Sequence, residues 1–125
     1  MEGQKAEAWY HGSPLRLKVL RAGSTVTPDR HLAEVFSHKP PLVSMDDDGS
    51  IHHTGTQPGY LYCIAEPVGP GDLHPHPRSS MPPGKEWLTD RDLRLELVGS
   101  TQIVEEERLT EDQIAALHRR LRGSN

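Results

Sequence analysis

Eight histidines, one cysteine and 18 acidic residues are the groups in this 125-residue chain from which chemistry could be built. Two stand where the local sequence would hold them in place. His11 closes the short run Ala8-Trp9-Tyr10-His11 just ahead of Gly12-Ser13-Pro14. Its imidazole is therefore expected at a strand end beside a turn, able to give a directed hydrogen bond into a cleft. Position alone also fits an ordinary surface histidine. Glu86 follows the turn Pro82-Pro83-Gly84 and opens an extended run between Lys85 and Trp87. A carboxylate there can face developing positive charge, as glycosyl transfer requires. It also fits a charged residue at a wet strand end.

The other candidates read as structural. His52-His53 and His74-Pro75-His76 invite a metal, but neither pair has the i, i+4 helical spacing or a nearby cysteine, so they read as solvated loop histidines and no metal site is expected. The histidine metalloenzyme is the weakest reading for that reason. Asp46-Asp47-Asp48-Gly49 lacks the alternating ligands and later glutamate of a calcium loop and reads as a turn. Cys63, the only cysteine, lies within an apolar run and reads as a small buried hydrophobe. A single cysteine excludes an intrachain disulfide, a thiolate zinc cluster and an iron–sulfur site, and suits a reducing compartment. No Gly-x-Gly-x-x-Gly, P-loop or Gly-x-Ser-x-Gly pattern occurs.

The elements that must position His11 and Glu86 are short. A strand is expected over residues 8–11, then a partly alternating segment through Leu15, Leu17, Val19 and Leu20 that ends at Gly23. Ser24-Thr25-Val26 is β-prone and leads into Thr27-Pro28-Asp29-Arg30, a helix start with threonine as cap, while Leu32, Val35 and Phe36 form its apolar face before Pro40-Pro41. A hairpin is expected from Leu42 to His53 around the aspartate turn. Tyr60 to Ala65 is the clearest strand. Glu66 to Gly84, with six prolines, reads as a long functional loop. Leu93, Leu95 and Leu97 alternate in a half-buried strand, with a bulge expected at Gly99-Ser100 and a continuation to Val104. Thr110 and Gln113 form a capping box for a last helix at about 110–122, with Ile114, Leu117 and Leu121 on one face. This order is an α+β pattern in one domain spanning 1–125, with its core at about 9–104.

Composition agrees with that scale. The chain holds 11 glycines and 11 prolines against one Phe, two Trp and three Tyr, so turns and loops are prominent and the core rests on aliphatics. Proline recurring mid-chain disfavours a helical bundle. The net charge of −4 supplies no global attraction for nucleic acid or anionic lipid. No run approaches 18 apolar residues and the first residues lack a signal-peptide core, so a cytoplasmic location off the membrane is expected.

Taken in order, Trp9-Tyr10-His11-Gly12-Ser13, Ser24-Thr25-Val26-Thr27-Pro28 with a helix through Ala33 and Phe36, Gly59-Tyr60-Leu61-Tyr62, Lys85-Glu86-Trp87-Leu88-Thr89 and Leu93-Arg94 to Gly99 resemble the ADP-ribosyltransferase superfamily. The likeness is greatest to small bacterial proteins of the rifampin ADP-ribosyltransferase type. It covers roughly Trp9 to Val104 and rests on order and spacing. It implies a split antiparallel β-sandwich with a few short helices and NAD in the cleft between the sheets. By the same resemblance His11 would bond the adenosine-side ribose, the Gly12 backbone would meet the nicotinamide carboxamide, and Ser13, Thr25 and Tyr60 would line the NAD site. Glu86 would orient the nicotinamide ribose and stabilise the oxocarbenium ion as nicotinamide leaves.

The place of the family's stacking tyrosine falls at Thr25 or Val26, so Phe36 or Trp87 is the aromatic expected to stack on nicotinamide instead. Asp72 stands close to the position of the aspartate that rifampin-modifying members use, and is a second candidate acid beside Glu86. No apolar antibiotic-binding loop is evident. The implied function is NAD-dependent mono-ADP-ribosyl transfer to a small-molecule or macromolecular acceptor that the sequence does not identify. The alternative is a catalytically inactive module of the same fold that binds NAD, a nucleotide or a partner.

Overall fold

The computed structural model describes residues 8–79 and 81–123, with side chains through Arg120, so the lead Met1 to Glu7 and the side chain of Leu121 lie outside the described part. Nine strands and two α-helices are described: β1 (Tyr10–Ser13), β2 (Val19–Leu20), β3 (Thr25–Val26), α1 (Arg30–Phe36), β4 (Val43–Met45), β5 (Ile51–His53), β6 (Gly59–Ile64), β7 (Leu73–Pro75), β8 (Trp87–Thr89), β9 (Leu93–Thr101) and α2 (Glu111–Gly123). A 3₁₀ turn at Glu105–Glu107 separates β9 from α2. The architecture is mixed α+β, with every strand ladder antiparallel.

The strands form a four-stranded sheet in the order β1-β6-β9-β2, a three-stranded sheet in the order β3-β8-β7, and the separate hairpin β4-β5. Among the described residues the first two sheets share one backbone rung, where Tyr10 and Thr27 exchange both hydrogen bonds, at 2.8 and 3.0 Å. Beyond that rung β1 and β3 part. Tyr62, buried in the middle of β6, ties down the chain that follows β1: its hydroxyl donates to the Leu15 carbonyl and accepts from the Leu17 amide, each at 2.8 Å.

Two small apolar clusters hold the layers together. Leu20, Val26, Leu73 and Leu93 pack with Trp9, Ile64 and Trp87 between the sheets. Leu32, Val35, Ile51 and Met81 pack α1 against the β4-β5 hairpin, with Phe36, Val43 and Met45 at the margin. The aliphatic core expected from the scarcity of aromatics is thus divided in two.

Several local details differ from the sequence reading. Thr27 is held extended by its rung to Tyr10, so the helix cap passes to Asp29, whose carboxylate accepts from the Leu32 amide while Thr27 Oγ1 takes the Asp29 amide. The long loop contains a strand, β7, whose terminal proline is tolerated because β7 is the edge of its sheet. In β9 the irregularity falls between Leu97 and Gly99, leaving Val98 as the extra residue, and the strand ends at Thr101 rather than continuing to Val104. The capping box forms as read: Thr110 accepts from the Gln113 amide, and Gln113 Oε1 accepts from the Thr110 amide. Among the described residues no helix is long and apolar enough to cross a membrane.

Candidate active site

The gap left where β1 and β3 part is a cleft of about 490 Å³. Its size falls in the range of small-molecule sites. One wall is β1 with Pro14 after it, another is residues 23–25 and Thr27, and a third follows α1 through Ala33 and Phe36 and on to Lys39 and Pro40. Glu86 completes the lining.

Strand alternation decides which backbone groups face the gap. In an antiparallel strand a residue's N–H and C=O both point to the same side, and successive residues alternate. Tyr10 points its pair at Thr27, so Gly12, two residues on, points its own pair the same way, into the cleft and away from β6. The next rung would join Gly12 to Thr25. His11 intervenes there: its Nδ1 donates to the Thr25 carbonyl at 2.7 Å. That bond fixes the neutral tautomer, with the proton on Nδ1 and a lone pair on Nε2. Burial holds the His11 pKa below its ordinary value, against a smaller upward push from the Thr25 bond.

Gly12 is required by packing on its other side. A Cβ there would lie 1.8 Å from the Ala33 carbonyl oxygen and 2.7 Å from the Ser37 amide nitrogen, because α1 crosses directly over β1. The helix end approaches Gly59 as closely: a Cβ there would lie 2.5 Å from the Ser37 carbonyl oxygen. The two glycines set how deeply α1 seats, and hence where Phe36 stands in the cleft wall.

Glu86 lies one residue ahead of β8 and beside Thr27, since β3 and β8 pair Val26 with Trp87. Its Oε1 accepts a short hydrogen bond from Ser79 Oγ, which itself accepts the Met81 amide at 3.0 Å. Its backbone carbonyl accepts from His76 N. The adjoining Lys85 pairs with the α1 cap Asp29 at 3.2 Å. The proline-rich loop therefore grips the carboxylate from one side and the helix start from the other.

The structure thus brings His11, Gly12, Ser13, Thr25, Phe36 and Glu86 to one cleft and leaves three expected site residues outside it. Trp87 points to the opposite face of β8 from Glu86, as alternation demands, and packs edge-on against Trp9 with ring centroids 5.4 Å apart. Val26 is fully buried in the same cluster, which leaves Tyr10 and Phe36 as the aromatics of the cleft. Tyr60 carries the Arg16 guanidinium 5.1 Å over its ring, away from the cleft lining. Asp72 is bound by Arg91 at 2.9 Å and by the Gly69 amide at 2.8 Å, and Arg91 also holds Glu66 at 2.8 Å. These contacts close the loop base and hold both carboxyl pKa values low, Arg91 being the main cause in each.

Sequence reasoning passed over Ser79, Lys39 and Tyr10. Ser79 left no signal, being one serine in a proline-rich loop. Tyr10 adjoined His11 and was read only as part of its strand.

The remaining histidines have local duties. His74 bonds Asp90 at 2.7 Å, His76 accepts the Arg78 amide at 3.0 Å, and His52 is 4.0 Å from Asp46. His53 is not solvated: it is fully buried and stacked on His38 with centroids 5.4 Å apart. Among the described residues no group of three or more His, Cys, Asp or Glu side chains is placed to hold a metal ion.

No family model, curated protein or solved structure was found to match the chain, so the reading of this site rests on its own geometry and on the motif resemblance.

Proposed function

We propose that the protein is an NAD-dependent mono-ADP-ribosyltransferase with an ADP-ribosyltransferase-type split fold. The observation that carries this reading is the shared cleft. His11 in a fixed tautomer, the outward-facing backbone of Gly12 and the Glu86 carboxylate line one gap between two antiparallel sheets that separate after a single rung. NAD is the co-substrate the motifs imply, and the cleft has donors, acceptors and a carboxylate suited to it.

Each residue has a physical task in that reaction. The Gly12 N–H can donate to the oxygen, and its C=O accept from the amide nitrogen, of a carboxamide such as that of nicotinamide. His11 Nε2 accepts from a ribose hydroxyl. Phe36 offers an apolar face for a planar ring. Glu86 places negative charge where the ribose becomes electron-poor as the bond from its C1′ to the nicotinamide nitrogen breaks and the electron pair leaves with nicotinamide. The acceptor then forms a bond to C1′ and gives up its proton. Ser79 restrains the Glu86 carboxylate so that it need not reorganise as charge develops.

Incubation with NAD is expected to release nicotinamide. Glu86→Gln, which keeps the shape and the Ser79 contact but removes the charge, should lower that rate at least ~100-fold, in line with the loss of one preorganised charge-stabilising group. Unchanged turnover in the variant would remove Glu86 from the chemistry. The burial of Val26, at the place where the family stacks a tyrosine, favours the second reading, an inactive binding module. Its signature is NAD binding by calorimetry with no nicotinamide released by the unaltered protein.

A further inference from the structure

We propose that Lys39 is the anion-binding end of the cleft and holds the diphosphate of the dinucleotide whose ribose Glu86 faces. This rests on the NAD reading above and goes further by fixing which way the ligand lies.

Lys39 and Glu86 are the two fixed charges among the described lining residues. They stand toward opposite ends of α1. Lys85, next to Glu86, is tied to the cap Asp29 at the N-terminal end of the helix, whereas Lys39 stands three residues past its C-terminal end. Seven helical residues span roughly 10 Å at 1.5 Å each. Ala33, Phe36 and Lys39 recur at intervals of three along the same wall, so the cleft follows the helix from the carboxylate to the ammonium. A ligand that fills it sets an electron-poor centre against the carboxylate and an anion against the ammonium, the two protein charges being separated by the length of the helix. A nicotinamide ribose joined to a diphosphate has that form.

Lys39 is also held ready for such a role. It is exposed and belongs to no ion pair among the described residues, in contrast to Lys85. Its backbone is left-handed, at φ 51°, which is rare for a residue with a long side chain and is further constrained by the proline that follows. The Lys39 amide donates to the Phe36 carbonyl, so this turn is the continuation of α1 rather than a free end. A glycine would take that φ without strain. The lysine instead contributes a charge at the cleft rim, and strain of this sort concentrates at ligand-binding positions.

The test compares the unaltered protein with Lys39→Ala, Lys39→Gly and Lys39→Arg. Lys39→Gly relieves the backbone, so a loss it shares with Lys39→Ala belongs to the charge and not to a disturbed turn. Calorimetry with ADP-ribose and with inorganic pyrophosphate should show affinity about tenfold or more weaker in both variants, in line with losing one charge-assisted hydrogen bond, and largely kept in Lys39→Arg. KM for NAD should rise by a similar factor with kcat within twofold, and binding of nicotinamide riboside, which has no phosphate, should be unchanged. Equal affinity of all four proteins for ADP-ribose and pyrophosphate overturns the proposal while leaving the transferase reading in place. Lys39-dependent pyrophosphate binding in a protein that releases no nicotinamide does the reverse: it supports the anion site and removes the transferase.

Discussion

His11 donates its Nδ1 proton to a backbone carbonyl, which leaves Nε2 as an acceptor only while the ring stays neutral. Burial pushes the His11 pKa down from 6.5. The ring is therefore neutral from pH 6.5 upward, and its protonation weakens kcat/KM for NAD only at lower pH. Nicotinamide release measured from pH 4.5 to 8 should show its acid limb below 6.5, and His11→Gln, which supplies a donor and an acceptor that do not titrate, should lack that limb. A limb above pH 6.5 that disappears in His11→Gln would contradict the burial argument. At this scale the sequence was informative for Glu86, which follows the Pro-Pro-Gly turn, but misplaced the setting of His11: Gly12 and Ser13 continue β1, paired with Leu61 and Tyr60 of β6, so His11 lies within the strand and not at its end beside a turn. The sequence was silent on Ser79 and Lys39, whose roles depend on where a loop and a helix end come to rest. Asp72 shows the converse: nearness in sequence to a family position does not prevent Arg91 from taking the carboxylate away from the cleft.

Element by element, the cleft depends on the seat of α1 against β1. Gly12→Ala would put a methyl group 1.8 Å from the Ala33 carbonyl oxygen, a backbone atom that can yield only if the helix moves. The expected cost is about 3 kcal/mol or more, at the upper end for overpacking, read from urea unfolding midpoints. Because α1 carries Phe36 and leads to Lys39, any folded fraction should also bind ADP-ribose weakly. A loss below about 1 kcal/mol would mean that the helix slides freely over the strand. Most of the strands and both helices were legible from apolar period and caps, since those signals are local. The start of α1, the presence of β7 and the position of the β9 bulge were not. Each is set by a partner far along the chain: Tyr10 for Thr27, Trp87 and Thr89 for β7, and Leu61 and Tyr62 for the register of β9. The divergence of β1 from β3 is equally non-local, and it creates the site.

Across the whole molecule, titratable groups in both halves make stability depend on pH in two stages of the same sign. His53 packs within the half that contains α1 and the hairpin, with Nδ1 accepting the Gly55 amide at 3.0 Å and Nε2 buried without a hydrogen-bond partner. Burial, reinforced by the neighbouring His38, lowers its pKa from 6.5, as burial lowers that of His11. For such groups the folded form resists the proton that the unfolded chain takes up, so their contribution is complete above pH 6.5 and is lost as pH falls from there toward their folded values. In the other half, Arg91 lowers the pKa of Glu66 from 4.5 and of Asp72 from 3.8. Their contribution is complete above those unfolded values and is lost as pH falls through the lowered folded ones. Guanidinium unfolding midpoints measured from pH 2.5 to 8 should accordingly rise with pH in two arms. His53→Gln should flatten the arm below 6.5 whatever constant stability it forfeits, because the slope counts protons and not contacts. Arg91→Ala should flatten the arm below 4.5 and leave the upper one unchanged. An upper arm that keeps its full slope in His53→Gln would mean that this ring is not shielded from the proton, and that the core between α1 and the hairpin is open to water.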